Sequence, residues 1–245
     1  VSMVLGHVLC APVTLHGDVI PRASQAIHLG HYIGKNAHQA NTNKAKSELC
    51  SRINALVFRF KHCSLNVIRH LFCTYCTSYY GCPLWDHSAL DSYSTFWRKC
   101  IRRILGLPPR THSRFIAPLL NKPDLKTQFH LRFANFISSC FNSSNELLKA
   151  CALSSLNSHS TVANNLRIVL SILRMDYDGL TLLLPDNSLK DALRTKCQQN
   201  ELQNPEDDIV IAVIEELIDI KNGHLHLAPL LNRGITELLH ALCAE

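Results

Sequence analysis

The sequence predicts a mainly α-helical protein that opens on a short β-hairpin and strand, continues as an antiparallel helical bundle and ends in further helices. Apolar and polar residues alternate up to Gly34, and apolar residues then recur at three- and four-residue spacing. Clusters of Gly, Pro, Ser and Asn separate successive apolar stripes, as expected where one helix stops and another starts. Charge is divided unevenly: residues 1–150 carry 18 Lys and Arg against 6 Asp and Glu, and residues 151–245 carry 7 against 13. The two parts are therefore +12 and −6, matching the formal net charge of +6. This organisation divides the chain into a hairpin and strand over 1–36, a basic helical bundle over 37–142 and an acidic, mainly helical region over 143–245.

Each element has its own signal. "VTLHGDVI" (Val13 to Ile20) alternates about a His16-Gly17-Asp18 turn and predicts a short hairpin. After Pro21, "AIHLGHYI" predicts another strand ending at Gly34. Leu49, Ile53, Leu56, Val57 and Phe60 form a first helical stripe. Val67, Ile68, Leu71, Phe72, Tyr75 and Tyr79 form a second, with Ser64 as its N-cap. Tyr93, Phe96, Trp97, Cys100, Ile101, Ile104 and Leu105 form a third, stopped by Gly106 and Pro108-Pro109. Beyond "GLPPRTHSR", Phe129, Phe133, Phe136, Ile137 and Cys140 give a fourth; "FNSSN" and "LSSLNSHST" read as loops around a short helix. The tail predicts helices near 162–175 and 188–199, and another starting at Asn204-Pro205-Glu206-Asp207-Asp208, where cap, proline and acids all favour a helix N-terminus.

Composition narrows the class. A chain of 245 residues with 47% hydrophobic and 18% charged residues can bury a core and reads as globular. The opening "VSMVLGHVLCAPVTL" lacks a basic flank and is interrupted by Gly6, His7, Cys10 and Pro12, which fits neither a secretory signal nor a membrane span. A first residue of Val rather than Met leads to the expectation of a piece of a longer chain. An odd count of 11 cysteines is a poor disulfide framework, so the expectation is an intracellular protein, cytoplasmic or nuclear, with reduced thiols and no membrane partner.

Few residues are set for chemistry. Cys73, Cys76 and Cys82 in "LFCTYCTSYYGC" suggest zinc by spacing, but a structural site needs four converging ligands and the first two lie in a helical stripe. Packing as small buried hydrophobes is the simpler reading, with Tyr75 and Tyr79 holding the helix in place, and no metal site is assigned. His224 and His226 read as a polar turn rather than a metal pair, and Asp86-His87 as a helix start rather than an acid/base couple. There is no Gly-rich phosphate loop and no G-x-S-x-G elbow, and none of the 14 histidines sits in a recognisable constellation. The third helix is different. Arg98, Lys99, Arg102 and Arg103 fall at i, i+1, i+4 and i+5 opposite Trp97, Ile101 and Ile104, and Arg110 extends the basic run. Such a face can follow a phosphate backbone, or it can be an ordinary solvated surface; the +12 block around it favours nucleic acid.

The order "VTLHGDVIPRASQAIHLGHYIG", a basic helix, "SLNVIRHLFCTYCTSYYGCPLW" and "FWRKCIRRILGLPPRTHSR" strongly resembles the C-terminal side of reverse transcriptases from non-LTR (LINE-type) retrotransposons. The likeness covers roughly Thr14 to Asn142 and is weak beyond. It implies that His28, Leu29 and Gly30 lie at a primer-grip strand left from the palm, with His28 standing where many family members carry an aromatic residue. It implies that the following helices are a thumb, and that the partner is an RNA/DNA template-primer duplex. The family polymerase works through paired aspartates that hold two Mg ions, one pair in a Y/F-x-D-D turn. That motif does not occur in this sequence, so the resemblance implies a piece without its palm and fingers, with no cofactor of its own and no polymerase activity alone. Asp207-Asp208 follows a proline and is explained by the helix dipole. The competing reading is a repurposed helical protein-interaction domain, whose basic bundle and acidic tail meet each other or a protein partner.

Overall fold

His16 (φ 50°) and Gly17 (φ 90°) both take left-handed backbone, the geometry of a two-residue hairpin turn whose twist matches its strands. They join β1 (Thr14–Leu15) to β2 (Asp18–Val19), with Thr14 opposite Val19. The continuous strand expected over Ala26 to Ile33 is instead a second hairpin. Leu29 (φ 49°) and Gly30 (φ 78°) form the same kind of turn, so β3 (Gln25–His28) folds back on β4 (His31–Gly34) with Gln25 opposite Gly34. Each hairpin is its own two-stranded sheet. The computed structural model describes residues 14–19, 24–34, 36–156, 159–176, 188–200, 205–223 and 229–243. His224 and His226, and Asn204 as a cap, lie outside them.

The chain parts into two compact units at Ser47 and Glu48, inside the long helix α1 (Ala37–Phe60). In the first unit the start of α1 clamps the second hairpin. Asn41, 5% exposed, accepts from the Tyr32 amide (2.9 Å) and donates to the Tyr32 carbonyl (2.9 Å), so one side-chain amide satisfies both backbone groups of an edge residue. Lys44 Nζ donates to the Gly30 carbonyl at 2.6 Å.

In the second unit Leu49, Ile53 and Leu56 of α1 are buried, as their stripe predicts. Helix α2 (Leu65–Tyr75) runs antiparallel to α1: Arg52 donates to the Tyr75 carbonyl (3.2 Å), while Phe60 at the other end shares a small cleft with Ile68. Helix α3 (Asp91–Ile104) returns against α2, with the Phe72 and Trp97 rings 6.5 Å apart edge to face and Ile104 in the same cleft as Ile68. Its end is a Schellman closure: Leu107 N–H donates to Arg102 O (2.8 Å), Gly106 N–H to Arg103 O (3.3 Å), and Gly106 supplies the left-handed residue at φ 64°. Before α3, the Asp86 carboxylate accepts from Ser88 N–H at 3.0 Å and caps a 3₁₀ turn, His87–Ala89, which is the helix-start role expected of it.

Helix α2 is shorter than its stripe. It ends at Tyr75, which is 58% exposed, while Tyr79 is buried in a loop. Its last carbonyls are taken by side chains: Thr77 donates to Cys73 O (2.6 Å) and Arg52 to Tyr75 O. Arg132 then holds the loop through Thr77 O at 2.8 Å. The loop thereby drops Tyr79 into an aromatic core with Trp85, Tyr93 and Phe129, the closest pair being Tyr79 and Phe129 at 5.0 Å.

Helix α4 (Leu125–Phe141) carries Phe129 into that core and Phe133 and Ile137 into a second one. The second core is closed by α5 (Glu146–Leu156), α6 (Thr161–Leu173) and α7 (Ser188–Asn200), through Leu156, Leu166, Val169, Leu189 and Leu193. Helix α8 (Pro205–Gly223) packs on α2, and α9 (Pro229–Cys243) packs on α8. Residues on both sides of 142 thus share one compact unit that begins at Glu48. Among the described residues no helix is long and apolar enough to cross a membrane.

Candidate nucleic-acid interface

The four cations of α3 do not have one fate. Trp97, Ile101 and Ile104 bury one side of the helix, which forces Arg98, Lys99, Arg102 and Arg103 outward as the wheel predicts. Arg102 is half-buried, and its Nε and Nη2 both donate to the Thr111 carbonyl, at 3.0 and 2.7 Å. Burial, with Arg98 nearby, lowers its pKa. Arg98 pairs with Asp124 at 3.6 Å, the residue that caps α4. These two arginines hold the 107–124 connection to α3. Lys99 and Arg103, one turn apart on the open edge, are exposed, as is Arg110, and none of the three makes an ion pair among the described residues.

His28, Leu29 and Gly30 belong to the first unit, at the tip of the second hairpin. Leu29 is 75% exposed there, and Lys44 lies under the turn on Gly30. His28 is exposed as well.

The acidic region meets the basic bundle through α8. Asp219 accepts from Leu65 N–H at 2.6 Å and so caps α2; Ser64 holds the N-cap position but its side chain makes no cap bond. Glu215 pairs with Arg69, whose Nε also donates to Leu119 O at 2.6 Å. Asp207 pairs with Arg114 at 3.3 Å, Lys221 donates to Gly106 O at 3.1 Å and Asn222 to Cys63 O at 3.0 Å. Sequence reasoning missed Arg69, Glu215 and Asp219 as a set, although the acid spacing 215 and 219 on one helix face was the available signal. It also missed Asn165, fully buried in α6, which donates to Trp85 O (2.7 Å) and accepts from His87 N–H (3.0 Å).

The cysteines pack. Cys76 and Cys82 are 2% and 0% exposed, and burial pushes each thiol up to about 11, so both stay protonated at neutral pH. Cys73 is half-buried. Among the described residues no three His, Cys, Asp or Glu converge as ligands.

Comparison with protein families, curated proteins and solved structures finds no match.

Proposed function

We propose that this chain is the primer-grip, thumb and linker portion of a non-LTR retrotransposon reverse transcriptase, binding an RNA/DNA template-primer duplex without polymerase chemistry of its own. The observation that carries the reading is the open edge of α3: Lys99 and Arg103 stand exposed and unpaired among the described residues, with Arg110 beyond the helix end, in the +12 part of the chain. Exposed cations at one-turn spacing match phosphate groups along a duplex, where they release counterions on binding. The exposed Leu29 at the hairpin tip fits a turn that touches a primer end. Binding of a short labelled RNA/DNA hybrid, followed by fluorescence anisotropy, should weaken steeply from low to moderate salt. Affinity unchanged between the two, or absent at both, removes the proposal.

The second reading, a protein-interaction domain, draws on the docking of α8 carboxylates onto Arg69 and Arg114. There the acidic tail already has its partner within the chain. Reversing Lys99, Arg103 and Arg110 to Glu separates the two: loss of hybrid binding with an unchanged melt supports the first, and loss of a protein complex supports the second.

A further inference from the structure

An open cleft of about 590 Å³ lies between the 79–83 loop and α4, with Lys190 of α7 at its side. Its volume suits a small ligand rather than a buried void. Gly81 (φ 72°) turns the loop so that Tyr80 stands 62% exposed at the rim. From α4, Arg132, Asn135, Phe136 and Ser139 share one face at i, i+3, i+4 and i+7. Among the described residues the lining holds two cations, Arg132 and Lys190, and no carboxylate. Arg132 is fixed by its bond to Thr77 O and by its place 5.0 Å over the Tyr79 ring, so its charge is pre-positioned. An exposed aromatic face beside a fixed cation is the composition that accepts an unpaired base and its phosphate.

We propose that this cleft binds a single-stranded nucleic-acid segment, with a base stacked on Tyr80 and the adjoining phosphate between Arg132 and Lys190. The proposal deepens the nucleic-acid reading above by adding a single-strand site distinct from the α3 edge. An acidic peptide would satisfy the two cations but would leave the aromatic rim unused.

The test uses the full chain and a fluorescein-labelled octathymidylate, with the blunt RNA/DNA hybrid as a parallel probe. Tyr80→Ala and Lys190→Ala should each weaken octathymidylate binding by about tenfold. Tyr80→Phe should retain it, since the stacking face survives, and circular dichroism melts should match wild type for all three. The cleft proposal is overturned if the wild-type chain does not bind the oligonucleotide, if Tyr80→Ala and Lys190→Ala bind it as tightly as wild type, or if Tyr80→Phe loses as much as Tyr80→Ala. It is also overturned if hexaglutamate displaces the oligonucleotide and binds Tyr80→Ala as tightly as wild type, or if the oligonucleotide binds only through Lys99 and Arg103. Failure of the blunt hybrid with Tyr80-dependent oligonucleotide binding intact would remove the duplex reading and leave the cleft standing.

Discussion

Arg69→Ala should destabilise the second unit by about 3 kcal/mol. The Arg69 side chain is 11% exposed and joins three elements: Nε to Leu119 O, Nη1 to Asn66 Oδ1 at 3.3 Å, and Nη2 to Glu215 on α8. Leu119 is fully buried, so its carbonyl would lose a charged donor where water has little access, which costs about 1–2 kcal/mol. Glu215 is 32% exposed and regains water, so the lost ion pair adds only about 1 kcal/mol rather than the larger cost of a stranded buried charge. Lost packing of the arginine stem supplies the remainder. For a unit of this size the melting temperature should fall by roughly 6–12 °C. Thermal circular dichroism measures it, and amide hydrogen exchange should show the 205–223 helix losing protection before the rest. A melt within about 1 °C of wild type would refute the clamp. A double-mutant cycle with Glu215→Gln sharpens the test, because additive effects would mean that the pair carries no coupling.

His130 is 7% exposed and packs beside His87, with ring centroids 5.3 Å apart; burial, then His87 and Lys126, lower its pKa from 6.5 to about 4. The folded chain therefore keeps it neutral between those values while the unfolded chain binds the proton, so stability should drop as pH falls from about 6.5 to 4, by up to about 3 kcal/mol. His130→Gln should flatten that part of a pH-dependent denaturation profile, and an unchanged slope would exclude His130 as its source. Lys99→Ala with Arg103→Ala should reduce the slope of log affinity against log salt for the hybrid by about two, without shifting the melt; an unaltered slope places the phosphate contacts elsewhere. Asn165→Leu should cost about 3 kcal/mol, because it strands the Trp85 carbonyl and the His87 amide in a buried loop, and urea unfolding would detect it.

The helices were legible where one side faces a core and the other water. The α3 stripe reads correctly from Tyr93 to Leu105 because every apolar position in it except the half-buried Phe96 is buried, and Gly106 supplies a stop that local sequence alone specifies. The end of α2 was not legible. Tyr75 and Tyr79 continue the period, but Arg52 and Arg132 reach the chain from other helices and take carbonyls that a longer helix would have used. The second hairpin was misread for a different reason: "HLGH" has alternation on both sides, and the left-handed pair at Leu29-Gly30 shows only as a single glycine. Helix α9 passed unnoticed because its Leu and Ile positions follow directly on the Leu-rich "HLHLAPLL" stretch, where period and simple apolar density look alike. At the interface, the face shared by Arg98, Lys99, Arg102 and Arg103 was readable from spacing. Which members were spoken for was not, since Thr111 and Asp124 approach from outside the helix.

That distinction changes how the net charge bears on function. A +12 segment suggests a broad phosphate-binding surface, but many of its cations have structural duties. Arg52 pairs with Glu48, Arg69 with Glu215, Arg98 with Asp124, Arg114 with Asp207, Lys126 with Asp91 and Lys149 with Glu146, while Arg102 holds the Thr111 carbonyl. An α3 edge of Lys99, Arg103 and Arg110 can neutralise about three phosphates, which corresponds to a salt slope of about −3 by the duplex DNA scale. A slope near −3 would be met by that edge alone. A slope twice as steep would require further cations, either Arg59, Lys61 and Lys122, which are exposed, or Arg69 and Arg114, which α8 holds and would release only by leaving α2. Hydrogen exchange in α8 with and without hybrid separates the two cases: unchanged protection leaves α8 on α2 and assigns the contacts to cations that are already exposed, and loss of protection makes the carboxylates of Asp207, Glu215 and Asp219 competitors of phosphate.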